Sequence, residues 1–213
     1  MTRVKICGLT SLADARAAAE AGADFLGFIF APGPRRIDPR VACEIWARLP
    51  PGVRKVAVFR DQSVEEVERV LALARPDYLQ FHGDETPGFC RLFELPVIRA
   101  LPARAPQDLA VAEAFIDAAS MFLVDVPKGE GGRLAEDVAR MAVHLPKPVL
   151  LAGGLTPGDV AEVVERFRPF GVDVARGVES APGVKDQALV REFVRNAKSA
   201  AAHARAEARK ETR

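Results

Sequence analysis

The stretch VLLAGGLTPGDVAEVVERFRPFGVDVARG, residues 149–177, contains one full unit of the fold. A short apolar run, Val149–Ala152, breaks at Gly153-Gly154 and gives way to an amphipathic pattern, TPGDVAEVVERF, over 156–167. Pro157 directly after Thr156 reads as a first-turn proline. A second β-branched run, Gly171–Ala175, follows. Strand, helix, strand in so short a span predicts two parallel strands joined by a helical crossover.

The same unit recurs along the chain. Strand-like runs stand at Arg3–Cys7, Phe25–Phe30, Arg54–Phe59, Tyr78–Phe81, Val97–Ala100 and Met121–Asp125, with helical patterns at 11–22, 39–49 and 63–74 among those between them. Thr10 or Ser11 can cap the first helix, with Asp14 completing a weak capping box, and Gly22 stands where a C-terminal cap belongs. Strict alternation predicts an α/β fold with a parallel sheet. Eight repeats predict closure into a (β/α)8 TIM barrel, one domain over 1–213 with short loops. The competing architecture is a doubly wound open sheet, which the absence of a glycine fingerprint after the first strand disfavours. Residues 197–213, AKSAAAHARAEARKETR, read as the last helix running past the barrel and fraying; the interleaved acids argue against a basic arm.

Composition excludes several classes of function. The 213 residues carry a net charge of +1, which gives no support for a nucleic-acid or membrane-surface partner. No apolar run approaches the ~20 residues of a membrane span. MTRVKICG lacks the apolar core of a signal peptide, so a cytoplasmic protein is expected. Three scattered cysteines and three scattered histidines propose neither a disulfide framework nor a metal site. A single asparagine, Asn196, fits a thermophile and equally a codon bias toward Ala, Arg and Pro.

Chemistry in such a barrel gathers at the C-terminal strand ends. Cys7 ends the first strand, and alternation places Cys7, Lys5 and Arg3 on one face with Val4 and Ile6 on the other. An inward polar set is unusual where branched apolar side chains normally fill the interior. In MFLVDV, Leu123 and Asp125 point inward, with Asp125 at the rim; in GVDVA, Asp173 does. Gly153-Gly154 after the seventh strand and Gly177 in the loop after the eighth, which is long enough for a short extra helix, predict a phosphate site. Arg35-Arg36, in FIFAPGPRRIDP, can hold an anionic substrate group.

Assembled, these segments resemble phosphoribosylanthranilate isomerase. RVKICGLT (3–10) resembles that family's KICG(I/L)T opening, ADFLGFIF (23–30) its second strand and LQFHGDE (79–85) its QLHGxE segment. LAGGLTPGDV resembles SGGL-x-P, and VDVARGVESAPGVKD (172–186) resembles VDVSSGVE…PG-KD. The resemblance implies a barrel of the ribulose-phosphate-binding type and an Amadori rearrangement of N-(5-phosphoribosyl)anthranilate to an open-chain aminodeoxyribulose phosphate. It implies Asp125 as general acid and Cys7 as general base, with a small phosphorylated sugar as the partner and no cofactor. Lys5 is expected to help lower the thiol pKa, and partial burial to raise that of Asp125. Gln80, His82, Asp173 and Lys5 are expected to line or support the site, His82 without acting as the base. Family members occur as monomers and dimers, so a homodimer is possible.

The sequence departs from the family pattern in three places. Ala175-Arg176-Gly177 replaces SSG, removing a serine hydroxyl from the expected phosphate loop while leaving backbone amides and the charge of Arg176. The loop after the sixth strand, VPKGEGGRLAED, is shorter than the family's glycine-rich form. The loop after the second strand is one residue short: Arg35 best matches the arginine that holds the anthranilate carboxylate, and Arg36 takes its place after a one-residue shift. Two rival functions remain at this point: a Schiff-base lyase or aldolase using Lys5, and a non-catalytic phosphate-binding or redox-sensing barrel with Cys7 as a reactive thiol.

Overall fold

The computed structural model describes residues 2–127 and 132–211. Eight parallel strands close into a barrel in sequence order: β1 (Arg3–Cys7), β2 (Phe25–Ile29), β3 (Arg54–Phe59), β4 (Tyr78–Phe81), β5 (Val97–Pro102), β6 (Met121–Asp125), β7 (Val149–Leu151) and β8 (Gly171–Val174). Outside it run α1 (Leu12–Glu20), α2 (Pro39–Trp46), α3 (Val64–Leu73), α4 (Pro87–Cys90), α5 (Glu136–Ala142), α6 (Val160–Phe167) and α7 (Gln187–Glu211). A 3-10 run, Pro106–Phe115, replaces an α-helix between β5 and β6. After β8 the chain makes a 3-10 turn, Arg176–Val178, and then a hairpin of β9 (Glu179–Ala181) and β10 (Val184–Lys185). No helix among the described residues is long and apolar enough to cross a membrane.

Period-two alternation sorts the core into two layers. Val4, Ile6, Leu26, Phe28, Phe122, Val124 and Val172 pack outward against the helices. Cys7, Phe25, Val56, Val58, Ile98, Leu123 and Leu150 fill the barrel interior. Lys5, Gln80 and Asp173 are buried among them. Lys5 and Asp173 are register partners on β1 and β8, where Lys5 Nζ donates to Asp173 Oδ1 at 2.8 Å. Arg3 is not an interior residue: its side chain is half exposed and pairs with Asp24 at the bottom rim. Asp24 also accepts from Lys198 of α7 at 2.6 Å.

One local alternative is resolved and two expectations change. Ser11, not Thr10, caps α1 by accepting from the Asp14 amide, while Thr10 Oγ1 donates to the Gly183 carbonyl at 2.6 Å. Pro157 does not open a helix. The Asp159 carboxylate accepts from the Thr156 amide and hydroxyl, which holds 156–159 as a turn and delays α6 to Val160. Beyond 197, α7 continues packed, with Ala197, Ala200, Ala201 and Ala204 buried. The side chains of 205–213, which fall within the expected frayed tail, lie outside the described residues, as do residues 128–131 of the loop after β6.

Candidate active site

Cys7 reaches the barrel mouth at the end of β1, 6% exposed. Its thiol is pushed up from the ordinary value, by burial first; the Lys5 ammonium pulls the other way and does not win. That corrects the expected lowering, because the strand end sits deeper than its rim position implied. Lys5 is held charged: burial opposes the charge, but the Asp173 carboxylate and a hydrogen bond with Cys7 more than offset it. An amine kept protonated in this way is a poor Schiff-base nucleophile, which removes the physical basis of the lyase alternative.

Gly27, beside Cys7 in the β1–β2 register, makes room for this pair. A Cβ there would stand 2.7 Å from Cys7 Sγ and 3.1 Å from Lys5 Nζ. Gly27→Ala is expected to displace the thiol, to cut kcat at least about tenfold and to cost about 1–3 kcal/mol of stability. Parallel kinetics and thermal melts check this, and parent-like turnover would show that the thiol position is not critical.

Asp125 ends β6 with its side chain 26% exposed. Its pKa rises to about 6, from burial first and then repulsion by Asp173, against stabilisation by the Val126 amide, Lys5 and Arg176. Oδ1 accepts from the Val126 amide at 2.8 Å. His82 Nε2 lies 3.8 Å from Asp125 Oδ2, beyond hydrogen-bond reach. Burial and then Lys5 push His82 down to about 4, so it is neutral at physiological pH. Gln80 Nε2 meets His82 Nδ1 at 3.0 Å and fixes the ring. Glu85 and Arg99 build the loop that presents His82. Glu85 accepts from the Asp61 and Gly83 amides, and Arg99 donates to Glu85 and to the carbonyls of Phe81 and Gly83. Sequence reading treated HGDE as a signature and assigned neither residue that shapes it.

Beside Asp125 a cleft is lined by Gly153, Gly154, Ala175, Arg176 and Gly177. Nothing among the described residues accepts from the amides of Gly153 or Gly154. Here loops after β6, β7 and β8 meet at van der Waals distance: a Cβ on Gly154 would strike the Gly132 carbonyl, and one on Gly177 the Leu155 carbonyl. Arg176 is exposed at this edge.

Arg35 and Arg36 part company. Arg36 is exposed. Arg35 lies across Gly8, the residue after Cys7, whose Cβ would meet Arg35 Cδ at 2.6 Å. Arg35 Nε and Nη2 donate to Glu179 Oε1 and Oε2 at 2.8 and 2.6 Å. Glu179 in turn accepts from Lys185 Nζ at 2.8 Å. Glu179 and Lys185 were missed as site residues; the GVE and KD of the last motif were the available signal. No group of three or more His, Cys, Asp or Glu among the described residues is arranged to hold a metal ion.

Residues 4–196 match the family described as N-(5'phosphoribosyl)anthranilate (PRA) isomerase. Two relatives named N-(5'-phosphoribosyl)anthranilate isomerase come from Geobacter metallireducens and Pseudomonas putida. The first is 46% identical over 203 residues, 93% of this chain and 100% of the relative. The second is 45% identical over 204 residues, 93% of this chain and 98% of the relative. The phosphoribosyl anthranilate isomerase of Thermotoga maritima superposes with a TM-score of 0.87 at 35% identity, covering 93% of this chain and 100% of that one. Another solved isomerase structure holds reduced 1-(o-carboxyphenylamino)-1-deoxyribulose 5-phosphate; it superposes at 0.83 with 34% identity, over 93% and 100% of the two chains. Matched by the family over residues 4–196 and by these relatives over 93% of its length, the chain belongs to the N-(5'-phosphoribosyl)anthranilate isomerase family.

Proposed function

We propose that the protein isomerises N-(5'-phosphoribosyl)anthranilate with Asp125 as general acid and Cys7 as general base. The observation that carries this assignment is the pairing of a carboxyl pushed up to about 6 with a thiol beside a buried ammonium, both at strand ends of one barrel mouth. Asp125 gives its proton to the ribose ring oxygen as the bond from that oxygen to C1 breaks, leaving an iminium between C1 and the anthranilate nitrogen. The Cys7 thiolate takes the proton from C2, and the enolamine that forms tautomerises to the ketone. Hydrogen moves only within the substrate and these two groups, so the redox balance closes without a cofactor.

Binding divides between two poles. The free amides of Gly153 and Gly154, the Ala175–Gly177 loop and the charge of Arg176 receive the phosphate, without a serine hydroxyl. Arg35, rather than Arg36, receives the anthranilate carboxylate, since it is half-buried against Gly8, the residue after Cys7, while Arg36 is exposed. Lys5, Asp173, Gln80 and His82 hold the acid and base in place. The protein is assigned to the cytoplasm, which cell fractionation tests. Assembly as a homodimer is part of the same reading and is tested by sedimentation. Turnover of N-(5'-phosphoribosyl)anthranilate by the purified protein tests the activity; binding of phosphorylated ligands without turnover would overturn it.

The two pKa values set an unusual pH dependence. The acid titrates near 6 and the base above the ordinary thiol range, so the working form, protonated Asp125 with Cys7 thiolate, is a minor one. Below pH 6 both groups are protonated; above the thiol pKa both are ionised. A plot of kcat/KM is therefore expected to rise through about pH 6 and to fall only above the ordinary thiol range. Activity falling steadily from pH 5 to 8 would contradict this ordering.

A further inference from the structure

Glu179 occupies an uncommon position for an acid: its side chain is 5% exposed between two cations. Its two oxygens take Nε and Nη2 of Arg35 in a fork, while Lys185 Nζ, fully buried, approaches Oε1 from the other side. Lys185 Nζ also donates to the Ala175 carbonyl at 3.0 Å, and its backbone amide donates to Asp14. The Gly183 amide reaches Glu179 Oε1 at 3.3 Å. Such a fork fixes the plane of a guanidinium as a single charge cannot. It also leaves the Nη1 donors of Arg35 without a partner among the described residues.

We infer that Glu179 is a positioning residue for the carboxylate-binding arginine: braced by Lys185, it aims the free edge of Arg35 and thereby sets the preference for a substrate bearing an ortho carboxylate. The inference rests on the reading of Arg35 given above. In Glu179→Gln one oxygen becomes an amide that opposes an arginine N–H, and the two cations are left without an anion between them. Arg35 then loses its fixed plane, while the phosphate loop keeps its own amides.

The test compares inhibition constants of two compounds. One is reduced 1-(o-carboxyphenylamino)-1-deoxyribulose 5-phosphate; the other is the same compound built from aniline, without the carboxylate. Glu179→Gln is expected to weaken the first about 10- to 100-fold and to leave the second within about twofold. Glu179→Asp, one methylene short of the fork, gives the same selective loss and serves if the Gln variant does not fold. Arg35→Met abolishes the preference for the carboxylate, and adding Glu179→Gln to it changes nothing further. Equal weakening of both compounds by the Glu179 variants would mean that the hairpin supports the whole pocket, and would overturn the inference. So would an intact preference in those variants while Arg35→Met destroys it. A preference that survives Arg35→Met would instead refute the assignment of Arg35 itself.

Discussion

Cys7→Ala is expected to lower kcat by about 10³-fold or more, with KM and the melting temperature near those of the parent. The thiol is the base of the proposed mechanism, so its loss falls on the proton-transfer step. Binding stands on other groups, the glycine amides and Arg35, which the substitution leaves in place. The stability change is small because Cys and Ala are close in volume and the site is already crowded by Lys5 and the Gly27 backbone. Cys7→Ser keeps the shape but offers a hydroxyl whose pKa is far higher, so it is expected to be nearly as inactive. Steady-state kinetics with calorimetry on the same samples decide the matter: turnover within about tenfold of the parent would remove Cys7 from the mechanism.

Asp125→Asn is the second large effect, with kcat expected to fall about 10²- to 10⁴-fold. The amide oxygen can still accept from the Val126 amide, so the strand end keeps its shape. Stability should move the opposite way from activity. A carboxyl whose folded pKa is raised from 3.8 to about 6 binds more protons folded than unfolded in that interval. The parent therefore loses stability as pH rises from about 4 to 6, and the full penalty remains above 6. A neutral amide carries no such penalty, and it relieves the repulsion from Asp173. Above pH 6 the variant is expected to melt at or above the parent's temperature. An inactive variant that also melts much lower would indicate a structural role for Asp125.

Much of this site was legible in the sequence because strands obey a two-residue period. RVKIC and MFLVD fix which side chains face inward once the strands are placed: Cys7, Lys5 and Leu123 lie on the interior face and Asp125 lines the cleft, while Arg3 at the strand start does not follow the alternation. The glycine pairs were legible because close approach of backbone excludes side chains. What remained hidden depends on distant partners. Arg35 and Glu179 are 144 residues apart, so the fork between them has no local signature. Thr10 and Ser11 are equally good caps until Gly183 claims one of them. The direction of the thiol shift depends on burial competing with Lys5, a balance that exists only in the closed barrel.

The stitches between the first and last parts of the chain have a consequence for synthesis. Lys5 meets Asp173, Thr10 meets Gly183, and Asp24 meets Lys198, across separations of 168, 173 and 174 residues. The base and its ammonium therefore wait, during translation, for the strand that is made last of the eight. Loop-closure entropy must be met before these contacts return anything, so the catalytic mouth belongs to the late events of folding. Until then β1 keeps unpaired the edge that β8 covers in the closed barrel, the kind of edge that invites pairing with another chain.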